Sequence, residues 1–324
     1  MTTSVVLCTY NGARFLPAQW ASVLAQSRLP DEIVVHDDAS TDATPTLLEH
    51  LAADARARGI VVKLCGNEHN VGYVANFQAA LQEASGDVVI LCDQDDVWHP
   101  RKLGSQLAAF ERRPNLLLLC SDARRTGEDG SDLGPSLFDV LRLTRAEQRR
   151  IHAGRGFEVL LRRSMATGAT VALRRTLLAT ALPVPPGWVH DEWLAIIAAA
   201  LDGFDCLDFA LVDYRQHTQN QIGMPRRGLR DRVAGLLDPR AATIDRLVAR
   251  DEWLLRRLEQ LEGNVPVAWR HAAQRKLAHL RARQAISGAP WSRLGPVLRE
   301  SVNGRYRRFG SGWRSGLRDL VRRR

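Results

Sequence analysis

Val88-Val89-Ile90-Leu91-Cys92-Asp93-Gln94-Asp95-Asp96 runs from five consecutive apolar residues straight into an acidic cluster. A strand wet on one face alternates polar and apolar side chains, whereas one buried on both faces reads as an unbroken apolar run. The stretch therefore predicts a central strand with carboxylates at its C-terminal end. Working outward, Ser4–Cys8, Glu32–His36, Ile60–Leu64 and Leu116–Cys120 also read as strands. Helical spacing fills the gaps: Arg14–Ala25, Thr44–Arg58 with Leu47, Leu48 and Leu51 on one face, Tyr73–Ala84, and a further helix opened by Pro100. Gly59 and Gly86 close two of these helices. Strand–helix alternation predicts a parallel α/β sheet covered on both faces.

Ligands of such sheets bind beyond the carboxyl ends of the strands. The residues found there are Thr9, Tyr10 and Asn11 after the first strand and Asp37 and Asp38 after the second. Asp93, Gln94, Asp95 and Asp96 follow the fourth. No GxGxxG and no GxxxxGK[ST] occurs, which excludes the dinucleotide and P-loop fingerprints. Continued extended geometry would point Asp93 and Asp95 the same way. Carboxylates that close repel one another unless a cation lies between them, and hard oxygen ligands suit Mg²⁺ or Mn²⁺. The competing reading is a solvated acidic turn before the Pro100 helix.

Composition narrows the class. The chain has 324 residues, 45% hydrophobic and 25% charged, which is a globular balance. No apolar run approaches the roughly 18 residues that span a bilayer; Leu194–Leu201 is far shorter. The N-terminal apolar run is only strand-length, so no secretory signal is read there. Five cysteines, odd in number and without a CxxC pair, are expected as reduced core residues rather than zinc ligands or disulfides. The net charge of +9 is unevenly spread: residues 225–324 carry 24 Lys+Arg and 9 Asp+Glu, against 21 and 27 in residues 1–224. A mildly acidic body precedes a very basic tail, which predicts an anionic partner.

Four segments together carry a family resemblance. Leu91-Cys92-Asp93-Gln94-Asp95-Asp96-Val97-Trp98, with Pro100, Lys102 and Leu103, resembles the metal-binding segment of family-2 glycosyltransferases. Val5–Gly12 and Val34–Asp42 resemble that family's two nucleotide-contacting segments, and Asn70-Val71-Gly72 with Asn76 resembles a third patch. The Asp-Gln-Asp-Asp form is most similar to rhamnosyltransferase-like members that build bacterial surface polysaccharide. The resemblance implies a GT-A fold, a mixed sheet flanked by helices, with a helical basic C-terminal extension. It further implies a catalytic domain over residues 1–224, split into a nucleotide half (1–122) and an acceptor half (123–224), and an extension over 225–324. Carried across by motif, Thr9, Tyr10, Asn11, Asp37, Asp38 and Asn70 would contact a UDP- or dTDP-linked sugar donor. Asp93 would support the nucleotide and share with Asp95 and Asp96 the binding of Mn²⁺ or Mg²⁺, Asp95 being the main ligand.

The later motifs extend this reading. Thr167-Gly168-Ala169-Thr170 resembles the small-residue strand under the donor sugar, with Gly168 allowing close approach. His190-Asp191-Glu192-Trp193 opens a helix after a proline-rich loop, and Asp191 matches the family's catalytic base. First-turn acids also simply suit a helix N-terminus. Trp98 and Trp193 flank these segments; Trp193 is expected to touch substrate. In Tyr214–Gln221, Arg215 would neutralise phosphate and His217 would complete the metal site. His36, His69, His99 and His152 receive no role.

The implied activity is a metal-dependent inverting glycosyltransferase acting on a glycan or polyprenyl-linked acceptor. The implied location is cytoplasmic, peripheral at the inner membrane face. The basic tail, with apolar spacings at Leu229–Leu237 and Ile244–Leu261, fits an anionic membrane surface. Nucleic acid ranks below it, since no RNA-binding signature occurs. The tail could also lie against the acidic body. Rival functions are a nucleotidyltransferase, which would need a glycine- and Lys/Arg-rich phosphate loop after the first strand, and an inactive nucleotide-sugar-binding or membrane scaffold.

Overall fold

A computed structural model describes residues 1–217 and 240–321. Thr218–Gln221, the Leu229–Leu237 spacing and the expected boundary at 224 lie outside the described residues. The chain begins β1 (Thr3–Thr9), α1 (Leu16–Leu24), β2 (Glu32–Asp37), α2 (Thr44–Ala57), β3 (Val61–Gly66), α3 (Tyr73–Glu83) and β4 (Val88–Asp93). It continues with β5 (Val97–Trp98), α4 (Lys102–Arg112), β6 (Leu118–Thr126) and the short helices α5 (Leu137–Val140) and α6 (Arg145–Arg150). A kinked turn at Ile151–Arg155, broken at Gly154, runs into α7 (Gly156–Arg162). A 3-10 turn at Gly168–Thr170 then enters β7 (Ala172–Arg174), followed by α8 (Thr176–Ala181), α9 (His190–Ala200) and β8 (Phe204–Arg215).

The eight strands form one sheet in the order β3-β2-β1-β4-β7-β6-β8-β5. β1 lies between β2 and β4 and pairs in parallel with both, Val5 facing Ile33 on one side and Ile90 on the other. Every residue of β1 is buried, as an unbroken apolar strand requires. The sheet is mixed, as the GT-A resemblance implied: the N-terminal strands pair in parallel, whereas β7 runs antiparallel to both β4 and β6, and β5 antiparallel to β8. The reason for β7 is its entry. It starts from the Gly168–Thr170 turn, beyond Ile90 towards the C-terminal end of β4. β6 extends six residues beyond Cys120 because it pairs with β8 as far as Arg215, and there Arg124 Nε donates to Asp213 Oδ1 at 2.7 Å. Proline stands in the first turn of α1 and of α2. All five cysteines are free.

Two compact units arise. The first comprises Met1–Phe157, Met165–Val184 and the chain from Val189 through β8. The second comprises Glu158–Ser164, Pro185–Trp188 and the C-terminal helices. Those helices are α10 (Arg240–Gln260), α11 (Val267–Ala285), α12 (Pro290–Val302), α13 (Arg305–Phe309) and α14 (Trp313–Val321). Ile244 and Val248 of α10 pack on Leu277 and Leu280 of α11. Trp188 Nε1 donates to the Arg250 carbonyl at 2.9 Å, beneath the Arg250 guanidinium. Among the described residues, no helix is long and apolar enough to cross a membrane.

Candidate active site

The loops after β1 and β2 are stitched together at the C-terminal edge of the sheet. Thr9 Oγ1 donates to Asp37 Oδ1 at 2.6 Å, and Asp37 also accepts from the Ser40 N–H and hydroxyl. Asn11, with φ of 47°, accepts the Thr41 N–H at 2.8 Å. Gln94 grips the backbone of Tyr10, accepting its N–H at 2.9 Å and donating to its carbonyl at 3.0 Å. A side chain on Gly12 would collide with the Gln94 carboxamide, so the glycine is what lets that grip form. Asp38 is buried and accepts from Asn67 Nδ2 and the N–H groups of Val71 and Gly72, at 2.8, 2.9 and 2.9 Å. The two carboxylates expected to meet the donor thus organise the loops that surround it. Asn70 sits exposed on the crest of that loop; Asn67 makes the contact with Asp38.

The acidic cluster divides. Asp95 Oδ2 lies 2.7 Å from His217 Nε2, with side chains only 15% and 6% exposed, and the His217 ring stacks on Phe15 at 4.5 Å. The Arg215 guanidinium lies over the same Phe15 ring. Asp96 is buried, and its Oδ1 accepts the Arg215 N–H at 2.9 Å. Asp93 faces elsewhere, towards the Gly168 turn. A Cβ placed on Gly168 would lie 3.4 Å from His190 Nε2, 3.6 Å from Asp191 Oδ2 and 3.8 Å from Asp93 Oδ2. Three functional groups therefore converge on one point, and the absent side chain keeps it open. Asp191 is fixed there by the Gly168 N–H, which donates to its Oδ2 at 2.7 Å.

The electrostatics of this edge are strained towards negative charge. Burial raises Asp93 to about 7, helped by the charges of Asp95 and Asp191. Asp96 is pushed well up by burial and then by Asp95 and Asp93. Asp191 rises to about 7, first through burial and then through neighbouring Glu192. The Tyr214 hydroxyl is raised by burial and by all four carboxylates. Lys102 is fully buried, donates to the Ala169 carbonyl at 2.7 Å and lies 3.7 Å over the Trp98 ring. Burial pulls its ammonium down to about 7 against the pull of Cys92, Asp96 and Asp93. Asp96 Oδ2 is a buried oxygen without a partner. A carboxylate-rich edge with an orphaned oxygen and an imidazole beside Asp95 fits a divalent cation. Asp93 and Asp96 do not join Asp95 and His217 in one tight cluster. Among the described residues, three Cys, His, Asp or Glu donors come within 4.8 Å of one another at His152, Cys206 and Asp208 instead.

Trp193 corrects one expectation. It is fully buried, its Nε1 donates to the Ala181 carbonyl at 2.6 Å, and it cannot reach substrate. Two residues along a helix turn roughly 200°, so a helix that aims Asp191 at the site aims Trp193 into the core. Conversely, His190 was not expected in the site. It is 4% exposed, stacks on Phe77 at 4.1 Å, and neither ring nitrogen has a partner. Burial alone holds it neutral, down to about 3. An unpaired buried polar group costs about 1–3 kcal/mol, so such a ring is a standing invitation to a polar ligand. The signal in the sequence was its place beside Asp191.

These features define a GT-A fold with its ligand edge at the ends of β1, β2 and β4. The same architecture is found in Staphylococcus aureus TarS, solved with UDP-GlcNAc (19% identity, TM-score 0.53, 94% of this chain and 92% of that one). It is also found in the mannosyltransferase PcManGT of Pyrobaculum calidifontis, solved with GDP-Man and Mn²⁺ (18% identity, TM-score 0.51, 93% and 75%). The family model for glycosyl transferase family 2 matches residues 4–180, and the chain belongs to that family. An uncharacterised glycosyltransferase of Nostoc sp. is 36% identical over 146 residues, 44% of each chain. The Escherichia coli UDP-Glc:alpha-D-GlcNAc-diphosphoundecaprenol beta-1,3-glucosyltransferase WfgD is 34% identical over 106 residues, 32% of this chain and 39% of that one. The chain thus spans less than half the length of these curated relatives.

Proposed function

We propose that the protein is a divalent-metal-dependent, inverting glycosyltransferase that moves a sugar from a nucleoside-diphosphate donor to a glycan or lipid-linked glycan acceptor. The observation that carries this reading is the convergence of Asp191, Asp93 and His190 on Gly168, beside the Asp95–His217 pair. The loops around Thr9, Tyr10, Asp37 and Asp38 would frame the nucleotide. Asp95 and His217 would hold the cation, with Asp93 and Asp96 adding negative charge. Such a cation neutralises a departing diphosphate. Asp191 takes the proton of the acceptor hydroxyl while that oxygen bonds to the anomeric carbon from the face opposite the diphosphate. The carbon–oxygen bond to the diphosphate breaks and the configuration inverts. His190 would offer one nitrogen to a sugar hydroxyl, and Arg215 would face the phosphates. A diphosphoundecaprenol-linked acceptor for the relative WfgD supports a lipid-linked acceptor here. The likeness to rhamnosyltransferase-type sequences adds dTDP-rhamnose to the donors worth testing.

The deciding experiment is calorimetry of UDP-glucose, UDP-GlcNAc, GDP-mannose and dTDP-rhamnose with and without Mn²⁺. One donor should bind in a Mn²⁺-dependent manner, and Asp95→Ala should abolish that dependence. Mn²⁺-dependent binding that survives Asp95→Ala removes Asp95 from the metal site.

The second unit supports an anionic membrane surface as partner. On α12, Trp291, Leu294, Leu298 and Val302 recur at helical spacing and stand exposed, Trp291 by 77% and Val302 by 85%. On α14, Trp313, Leu317 and Val321 do the same, Trp313 by 73%. Other faces of the two helices are tied down: Glu300 of α12 pairs with His279, and on α14 Asp319 Oδ2 accepts from Tyr306 Oη at 2.5 Å and from Arg283 Nε at 3.0 Å. Exposed Arg299, Arg307, Arg308 and Arg314 flank the apolar rows. Tryptophan-tipped apolar rows edged with arginine complement an anionic headgroup layer.

A further inference from the structure

We propose that His152, Cys206 and Asp208 form a second metal site, for a borderline-soft transition-metal dication with zinc foremost, in the N-terminal half of β8. One donor atom from each lies within 4.8 Å of the other two. His152 Nε2 is 3.7 Å from Asp208 Oδ2, and Cys206 Sγ is 3.9 Å from Asp208 Oδ1. Around tetrahedral zinc, bonds of about 2.0–2.3 Å set neighbouring donors roughly 3.3–3.6 Å apart. The two separations to Asp208 are a few tenths of an ångström longer, and all three donors stay within 4.8 Å, so side-chain adjustment would be needed to close on an ion. Nitrogen, thiolate sulfur and carboxylate oxygen form a donor set that prefers zinc over Mg²⁺ or Mn²⁺, and three protein ligands leave a fourth position open.

The surroundings favour a ligand role. His152 Nδ1 is engaged by Asp205 Oδ1 at 2.7 Å, and Asp205 is itself paired with Arg113. With Nδ1 held by a carboxylate, Nε2 is the free face of the ring, and it is the face turned to Asp208. That carboxylate–histidine relay is how proteins orient a ligating imidazole. His152 sits in the kinked turn Ile151–Arg155, which breaks at Gly154 with φ of 76°. His152 and Asp208 reach solvent, so an ion has an entry path, while Cys206, 3% exposed, closes the inner wall. Binding would exchange the Cys206 thiol proton, released to solvent, for the ion, and would cross-link the kinked turn to β8. None of these three residues is among those of the proposed catalytic site, so the two ions would be held by separate donor sets.

The test uses the full chain stripped with a chelator and titrated with Co²⁺, which gives a thiolate charge-transfer band only when sulfur ligates. One equivalent should develop that band and lose it on adding Zn²⁺. Cys206→Ser should abolish the band, and exposed Asp208→Asn should weaken Co²⁺ binding at least tenfold. Asp95→Ala should leave both unchanged, separating this ion from the catalytic one. The absence of a thiolate band overturns the proposal. So does a band that persists in Cys206→Ser, or equal affinity in Asp208→Asn. Should Cys206→Ser fold poorly, the surface variant Asp208→Asn still decides.

Discussion

Burial gives Asp191 a working pH. Its carboxyl is raised from 3.8 to about 7 by desolvation first and Glu192 second. A base acts only when ionised, so kcat/KM should fall about tenfold per pH unit below pH 7 and level off above it. The folded state holds this proton more tightly than the unfolded chain does. Between pH 4 and pH 7, ionisation of Asp191 therefore lowers stability as pH rises. Asp191→Asn should keep donor affinity and lose transfer by about 100- to 10,000-fold, read from initial rates alongside calorimetry. A variant turning over within tenfold of the parent removes Asp191 from the role. The residue scale also shows what a sequence conceals. Asp191, Asp95 and His217 could be singled out because their residue types and neighbours form motifs. Trp193, expected at the substrate, lies in the core, while His190, given no role, faces the Gly168 turn, because only the phase of α9 decides which side chain meets the site.

Elements were legible in proportion to how continuously they are buried. β1, β2 and β4 announce themselves as apolar runs, and the polar residues after each lie at one edge as the topology demands. β7 does not: three residues carry too little pattern to state a direction, and its reversal depends on pairing partners distant in sequence. Gly168 shows why that reversal matters, since it delivers a turn, rather than a strand end, to the ligand edge. Gly168→Ala is expected to fold normally, because its methyl would meet neighbours at 3.4–3.8 Å, ordinary contact distances. It should nevertheless weaken the binding of a nucleotide sugar by about tenfold or more while sparing the free nucleotide, measured by calorimetry with each. Equal losses for both ligands would place the sugar elsewhere.

Over the whole molecule, charge is divided by task, with carboxylates gathered at one sheet edge and arginines flanking the apolar rows of α12 and α14. Composition made the division legible, but not which side chains stand exposed, because that depends on how α12 and α14 pack. Replacing Trp291 and Trp313 together by Ser should cut co-sedimentation with vesicles containing anionic lipid at least about tenfold, since each indole is worth over a kcal/mol of buried apolar surface. Equal sedimentation of both forms would count against the membrane role. The position of β7 carries one more implication. Among the described residues, it joins β3-β2-β1-β4 to β6-β8-β5 within the sheet, through pairings of residues far apart in sequence. Like the pairings of β1 with β4 and of β6 with β8, these close long loops before they bring any gain. Gly168 therefore meets Asp93 only through long-range strand pairing. Competence to bind a ligand waits on the assembly of the sheet and cannot arise in any local segment of the chain.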